Sequence, residues 1–276
     1  MARKKKKQKP SLLWRATKFS AIGIGKGIRG VYRFAKKKRI ENVEKKKIIK
    51  SQKKLEENPI YQMPASYEEF PLEKKLIGDY SFLESRLHKD SIIALIFGKR
   101  GSGKSALGFK LLENIHNKSK RKCFVLGVKQ DVMPKWISPI ENIEKVPDNS
   151  VVLVDEGALA FNSRESMNLN NKGIGKLMAV ARHKDLTILF ITQNTGMIDK
   201  NVLKLTDTLF IKQGSLLQQE MERGEIKKFY DKANKSLSQL EGDKRKYVYM
   251  LDGDFEGVVS VPLPSFWTDN LSKNKS

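Results

Sequence analysis

A glycine-rich run that ends in Lys-Ser is the part of this sequence best suited to chemistry. Residues 98–105 read Gly-Lys-Arg-Gly-Ser-Gly-Lys-Ser and fit the pattern G-x4-G-K-S/T. Glycines let a backbone fold tightly enough for successive amide N–H groups to point at phosphate oxygens. Lys104 then supplies positive charge at the β- and γ-phosphates, and the Ser105 hydroxyl is a suitable ligand for Mg²⁺.

The position of this run supports the phosphate-binding interpretation. It follows the apolar segment 91–97 and precedes a helical pattern over 106–117, so a helix N-terminus faces the predicted phosphates. The alternative is a glycine-rich turn between a strand and a helix. The predicted phosphate-binding residues are Gly98, Lys99, Arg100, Gly101, Ser102, Gly103, Lys104 and Ser105.

Two adjacent carboxylates, Asp155 and Glu156, follow the apolar run 151–154. A buried strand that ends in this pair places both side chains at the carboxyl edge of a parallel sheet, where α/β proteins bind ligands. Asp155 is the predicted partner of Mg²⁺, acting through water. Glu156 is the predicted catalytic residue that orients and polarises the attacking water. The alternative is a strand end that carries two solvated acids.

A polar amide also ends the apolar run 186–191, which Thr192, Gln193 and Asn194 follow. An amide at the carboxyl edge can touch both the γ-phosphate and the attacking water, and so report hydrolysis to the rest of the fold. Gln193 is therefore a predicted catalytic residue, with a turn residue that caps the strand as the alternative.

Arginines are candidates because phosphoryl transfer spreads negative charge that a guanidinium supplied by another subunit can stabilise. Arg182, at the end of a predicted helix over 172–183, is the favoured candidate for this role. Arg164 is the second candidate, and Arg100 lies within the glycine-rich run itself. For each of them the alternative is a solvated surface arginine.

Five short apolar runs alternate with helical patterns from about residue 80 onward. Each run is almost continuously apolar, as expected of strands buried on both faces of a parallel sheet. Alternating strands and helices predict an α/β fold with a central, mainly parallel sheet. The predicted strands are 91–97, 123–128, 151–154, 186–191 and 208–211.

The 276 residues carry a formal net charge of +23, which is concentrated at one end of the chain. Residues 1–54 hold 21 lysine and arginine residues against two glutamates, whereas the other 222 residues have a net charge of only +4. Aromatic and aliphatic residues are interleaved with the basic ones over 11–35. Such a tail suits an anionic surface, either DNA phosphates or lipid headgroups. A solvated tail without a specific ligand is the third interpretation.

These patterns divide the chain into four parts. Residues 1–57 are predicted to be the basic tail, 58–80 an extended linker with three prolines, and 81–215 the α/β core. Residues 216–276 are predicted to be an extension with a polar helix and a β-hairpin, because two strand-like runs flank Asp252-Gly253-Asp254.

Composition excludes several other classes. One cysteine and three scattered histidines make a disulfide framework or a zinc site improbable. The longest uncharged run near the N-terminus, 19–25, falls far short of the roughly 18–20 residues of a membrane span. We therefore expect a cytoplasmic protein, with peripheral membrane contact through the tail as an alternative.

The glycine-rich loop, the strand that ends in Asp-Glu and the later strand that ends in Gln resemble the additional-strand, catalytic-glutamate branch of P-loop ATPases. Within that branch, Ala181-Arg182-His183, the segment 186–194 and Ile198-Asp199 resemble two related groups. One is the zonula occludens toxin-like proteins, which include filamentous phage assembly ATPases. The other is the FtsK–HerA superfamily of DNA pumps and viral genome-packaging ATPases. The match covers residues 88–215.

This resemblance implies a RecA-like core with strand order 5-1-4-3-2, ATP and Mg²⁺ as ligands, and a ring, often hexameric, with active sites between subunits. The phage assembly proteins typically have a membrane span after the ATPase domain, but residues 216–276 are polar. The resemblance assigns nucleotide roles to Gly98, Gly103, Lys104, Ser105, Asp155, Glu156 and Gln193.

Together these features predict an ATP-hydrolysing motor that translocates or packages duplex DNA without reading its sequence, for a virus or mobile element. A membrane-associated ATPase that powers virion assembly or extrusion is the first alternative. A non-motor switch or assembly protein with slow hydrolysis is the second, and the water-activating carboxylate of Glu156 argues against it.

Overall fold

The computed structural model describes residues 38–126, 128–155, 171–198, 200–222 and 224–273. The chain forms two units, Met1–Glu57 and Asn58–Ser276. Within the first unit, residues 38–56 form helix α1, and every residue of this helix except Leu55 is exposed. The second unit contains the α/β core.

One mixed sheet of nine strands runs through the described part of the second unit. Its order is β1-β9-β8-β7-β2-β6-β5-β3-β4; the pairs from β7 to β4 are parallel and those from β1 to β7 are antiparallel. The strands are β1 (Leu72–Gly78), β2 (Ile93–Phe97), β3 (Cys123–Leu126), β4 (Ile137–Ile140), β5 (Val151–Asp155), β6 (Thr187–Thr192), β7 (Thr208–Ile211), β8 (Tyr247–Leu251) and β9 (Phe255–Ser260).

The α/β fold class is confirmed. The five predicted strands correspond to β2, β3, β5, β6 and β7, and they stand in the order β7-β2-β6-β5-β3. Numbered along the chain, this is the order 5-1-4-3-2 of a RecA-like core. The central strand β2 is buried at every residue, in agreement with its continuously apolar sequence.

Helices cover both faces of the sheet. Apolar residues of α3 and α4 pack with one set of alternating strand side chains, and those of α5 and α8 pack with the other set. The helices of the second unit are α2 (Pro59–Gln62), α3 (Tyr80–Lys89), α4 (Lys104–Ser119), α5 (Asn171–His183), α6 (Lys200–Leu205), α7 (Leu216–Met221), α8 (Gly224–Ser238) and α9 (Asp269–Lys273).

The segment 58–80 differs from the predicted linker. It forms α2 and the edge strand β1, which pairs antiparallel with β9. Six of the seven β1 residues are exposed, which explains why its sequence, Leu-Glu-Lys-Lys-Leu-Ile-Gly, lacks the apolar pattern of a buried strand. The predicted hairpin exists as β8 and β9, and β8 pairs with β7. The main sheet therefore continues through both segments.

Strand β4 had no counterpart among the predicted strands. Its sequence, Ile-Ser-Pro-Ile, contains a proline, which is tolerated here because β4 is the outermost strand beside β3. Among the residues that the structure describes, we find no helix with the length and apolar character of a membrane span.

Candidate nucleotide-binding site

The glycine-rich loop joins the carboxyl end of β2 to α4, and its first residues are held by the chain that leaves β7. The amide of Lys212 donates to the carbonyl of Phe97 at 2.8 Å, and the amide of Lys99 donates to that of Gln213 at 3.0 Å. Gly98 has a φ of +147°, and a Cβ at this position would lie 2.7 Å from the Lys212 Cβ. Only glycine fits here, because any side chain would meet both backbone strain and a neighbouring chain.

The last turn of the loop presents the N-terminus of α4. Gly103 is the N-cap of this 16-residue helix, with a φ of +88° and no side-chain hydrogen bond to the first-turn amides. Ser102 is only 2% exposed, and its hydroxyl has no hydrogen-bond partner among the described residues. A buried unpaired hydroxyl beside an uncapped helix N-terminus is the arrangement expected where an anion binds.

Lys104 lies folded over its own loop. Its Nζ donates hydrogen bonds of 2.8 Å to the carbonyls of Gly98 and Lys99, and the residue is buried. The ammonium group is therefore already beside the loop, where a phosphate group can compete with the two carbonyls for its protons.

Ser105 and Asp155 converge on one point at this edge of the sheet. The Ser105 hydroxyl donates to Asp155 Oδ2 at 3.5 Å, although strands β3 and β4 lie between α4 and β5 along the chain. Two oxygens bound to one octahedral Mg²⁺ lie about 3 Å apart, because each is about 2.1 Å from the metal. A hydroxyl and a carboxylate are hard oxygen ligands, so this pair fits Mg²⁺ in chemistry, and its 3.5 Å separation is within about 0.5 Å of that spacing.

Gln193 follows β6 directly and is exposed at the same edge. Strand β6 lies between β2 and β5, so Gln193 emerges between the glycine-rich loop and Asp155. The next residues form a tight turn, in which the Thr192 hydroxyl accepts from the Asn194 amide at 3.0 Å and donates to the Asn194 carbonyl at 3.1 Å. This turn directs the chain away from the edge immediately after Gln193.

Two of the predicted site residues, Glu156 and Arg164, lie outside the described residues. Arg182 is the penultimate residue of α5, shortly before β6 begins at the amino edge of the sheet, and its Nη2 donates to the Leu205 carbonyl at 3.1 Å. The loop and Asp155 are at the carboxyl edge, so Arg182 does not reach the site of its own chain. Arg100 is exposed within the loop.

No family model matches the sequence, and no curated protein matches it. Among solved structures, the chain is similar to B204, the DNA-packaging ATPase from Sulfolobus Turreted Icosahedral Virus, with 15% identity and a TM-score of 0.44 over 63% of this chain and 98% of B204. It is also similar to the pCW3 conjugation coupling protein TcpA, with 10% identity and a TM-score of 0.45 over 76% of this chain and 71% of TcpA.

A third similar structure is EssC (ATPases 2 and 3) from Geobacillus thermodenitrificans, with 11% identity and a TM-score of 0.43 over 79% of this chain and 50% of EssC. At identities of 10–15%, these are likenesses of fold alone.

Sequence reasoning missed Lys212, the residue after β7. It is 1% exposed, and its Nζ donates to the carbonyls of Arg245 at 2.7 Å and Tyr247 at 2.9 Å. Burial lowers the pKa of Lys212 to about 7, although the charge of Asp243 opposes this shift. The only sequence signal was a lysine directly after a buried strand, and its acceptors come from a segment more than 30 residues later.

Proposed function

We propose that this chain is a Mg²⁺-dependent ATPase whose triphosphate lies along residues 98–105. The observation that carries the proposal is the 3.5 Å approach of Ser105 and Asp155 beside the loop. It pairs the two oxygen ligands that a triphosphate-bound Mg²⁺ needs with a loop whose amides and lysine suit phosphate.

In this proposal, different residues bind the phosphates, hold the metal and activate the attacking water. The amides of the loop bind phosphate oxygens, and Lys104 exchanges its two carbonyl partners for the β- and γ-phosphates. Ser105 would hold the metal directly and Asp155 through water, and the metal would neutralise charge on the β- and γ-phosphates. Glu156 accepts a proton from the attacking water, and the Gln193 amide orients that water against the γ-phosphate.

We infer that ATP hydrolysis drives movement along duplex DNA, which the protein translocates or packages, as in a viral or mobile-element genome. Helix α1 supports this inference, because it carries eight lysine and arginine residues against three glutamates and is exposed along its length. Together with the preceding residues it forms a cationic tail that binds phosphates without reading sequence.

ATP turnover with and without duplex DNA, at low and moderate salt, tests the proposal. We expect turnover that DNA stimulates, that salt weakens, and that Glu156→Gln abolishes. Turnover that depends on Glu156 but ignores DNA would exclude the DNA motor and retain the ATPase. Little turnover despite tight ATP binding would favour a nucleotide switch.

A membrane-associated ATPase for virion assembly or extrusion is the second candidate. One observation favours it: four aliphatic side chains of α1, at Ile40, Val43, Ile48 and Ile49, are 46–63% exposed among the basic residues. Apolar and basic residues on one helix suit an anionic lipid surface. Co-sedimentation with vesicles that contain phosphatidylserine, compared with neutral vesicles, separates this candidate from DNA binding.

We also propose that the ATPase acts as a homo-oligomeric ring in the cytoplasm of its host, with Arg182 reaching the site of a neighbouring copy. The position of Arg182 supports this, because it lies at the amino edge of the sheet, opposite the loop and Asp155 of its own chain. Mixing Arg182→Ala chains with Glu156→Gln chains tests the idea. Recovery of turnover in the mixture is expected, since some sites would then combine an intact Glu156 with an intact Arg182.

A further inference from the structure

A turn in the C-terminal part of the chain lies directly against the glycine-rich loop. Residues Lys244–Lys246 form a single 3-10 turn just before β8. A Cβ placed on Gly103 would lie 3.0 Å from the carbonyl oxygen of Arg245 and 3.8 Å from its Cβ. Because β8 runs antiparallel to β7, its first residue lies at the same carboxyl edge as the loop.

Lys212 holds this turn and the loop together. Its buried Nζ donates to the carbonyl of Arg245 in the turn and to that of Tyr247, the first residue of β8, while its backbone and Cβ pack against Gly98. The position of Arg245 relative to the loop is therefore set by a buried group with two hydrogen bonds, although Arg245 itself is on the surface.

The carboxylate of Asp243 fixes the orientation of the planar Arg245 guanidinium. Its Nε lies 3.1 Å from Oδ1 and 2.9 Å from Oδ2, and its Nη2 lies 2.7 Å from Oδ2. The same carboxylate accepts the backbone amide of Arg245 at 2.9 Å, which ties the side chains to the turn. The arginine side chain remains 72% exposed, so the faces of the planar group are accessible.

The order of the strands indicates which end of a bound nucleotide would lie near the Arg245 guanidinium. The groups that would handle the γ-phosphate, Asp155 and Gln193, follow β5 and β6 on one side of β2. The turn with Arg245 lies on the other side of β2, beyond β7, next to Gly103. A nucleotide with its γ-phosphate near Asp155 therefore extends its sugar and base towards Arg245.

We propose that the guanidinium of Arg245, whose orientation Asp243 fixes, stacks on the base of the bound nucleotide and so forms the nucleoside end of the site. This inference rests on the proposed function. Stacking fits better than phosphate binding, because Asp243 occupies one edge of the guanidinium and its negative charge would repel a phosphate. A guanidinium plane is well suited to aromatic faces, whereas a lysine ammonium cannot offer such a plane.

Calorimetric titration of the full-length protein with ADP and, separately, with inorganic tripolyphosphate tests the proposal, both in the presence of Mg²⁺. We expect Arg245→Ala to weaken ADP binding about threefold to thirtyfold, the range for a cation on an aromatic ring, and to leave tripolyphosphate binding unchanged. Arg245→Lys should recover only part of this loss for ADP despite its positive charge, because an ammonium group cannot stack as a plane. Lys246→Ala, which removes an exposed charge one residue away, is the matched control and should behave like wild type.

Equal losses for ADP and tripolyphosphate, or full rescue by Arg245→Lys, would overturn the proposal in favour of a charge contact with phosphate. Unchanged ADP affinity in Arg245→Ala would also overturn the proposal, because the Asp243–Arg245 pair would then only stabilise the turn. These outcomes differ from failure of the proposed function, in which the wild-type protein itself would bind neither ADP nor tripolyphosphate.

Discussion

Gly98 and Gly101, two of the three glycines with positive φ angles in the nucleotide loop, have different surroundings. Gly98 has a φ of +147° and faces the Lys212 backbone and Cβ within 3.0 Å, whereas Gly101 has a φ of +75° and no atom within 4 Å of the place that a Cβ would take. An alanine at either position would strain the backbone, but only an alanine at position 98 would also clash with a neighbouring residue. Comparing the two substitutions therefore distinguishes backbone strain from steric clash.

We predict that Gly98→Ala damages the site more than Gly101→Ala. The strain common to both is about 1–2 kcal/mol, and overpacking against Lys212 adds about 1–3 kcal/mol at position 98. Thermal unfolding and ATP affinity measure the difference. Equal effects of the two substitutions would show that the contact with Lys212 does not shape the loop.

A second prediction concerns pH and Lys212. Burial lowers the pKa of Lys212 to about 7 from its ordinary value of 10.5, so the unfolded chain holds this proton more tightly than the folded chain. The free energy of unfolding should therefore rise with pH between about 7 and 10.5, and the full penalty of the buried charge should be present below pH 7.

Melting temperatures measured from about pH 6.5 to 9.5 test this prediction, with Lys212→Met as the control. The variant leaves the carbonyls of Arg245 and Tyr247 without a donor, so we expect it to be less stable than wild type at high pH. It should also lose part of the rise with pH. A rise of the same size in both proteins would assign it to other groups.

At the scale of elements, α4 connects the nucleotide loop to both ends of the second unit. The buried Glu113 carboxylate accepts the amides of Ser66 at 3.2 Å and Ser265 at 3.1 Å, both serine hydroxyls, and the Nζ of Lys110 at 2.9 Å. Burial alone would raise the pKa of Glu113, but the hydrogen bonds from Ser265, Lys110 and Ser66 together lower it. One side chain therefore anchors two distant segments to the helix that begins at the loop.

We predict that Glu113→Ala destabilises the protein by about 3–5 kcal/mol, because it leaves the buried Lys110 ammonium without its main partner. Glu68→Ala is the matched control: its carboxylate also contacts Lys110, at 3.4 Å, but is 59% exposed and should contribute less than about 1 kcal/mol. Urea unfolding measures both. Similar losses of stability in the two variants would show that Glu113 is not the main partner of the buried Lys110.

At the scale of the whole molecule, the charge is divided between two units. Residues 1–54 carry 21 lysine and arginine residues, and residues 38–56 of this region form an exposed helix. The second unit contains the nucleotide site and the sheet. Under the proposed function, the first unit would provide sequence-independent attachment and the second would turn over ATP.

Removal of residues 1–57 should weaken binding to duplex DNA at least about a hundredfold and flatten its dependence on salt, because fewer counterions are released on binding. Fluorescence anisotropy with a labelled duplex at about 50 and 200 mM salt provides the measurement. Basal ATP turnover should persist in the shortened chain. An unchanged salt dependence would place the DNA-binding surface on the second unit.

Much of the site was predictable because its parts are short and chemically demanding. A loop that binds phosphate needs glycines and a lysine at fixed spacing, and a strand buried on both faces must be continuously apolar. Local sequence therefore predicted the loop, five strands and the placement of Asp155 and Gln193 at one edge. The edge strand β1 escaped prediction because an exposed strand is not required to be apolar.

The sequence by itself determined the α/β fold class, the nucleotide loop and the residues that follow β5 and β6. Only the tertiary structure decided which distant segments support them: the pairing of β1 with β9, the link from Glu113 to Ser265 across 152 residues, and the turn with Arg245, which Lys212 holds against Gly103. Contacts of this kind depend on which strands become neighbours. Strand order is set by the packing of the whole sheet, so no local spacing of residues encodes them.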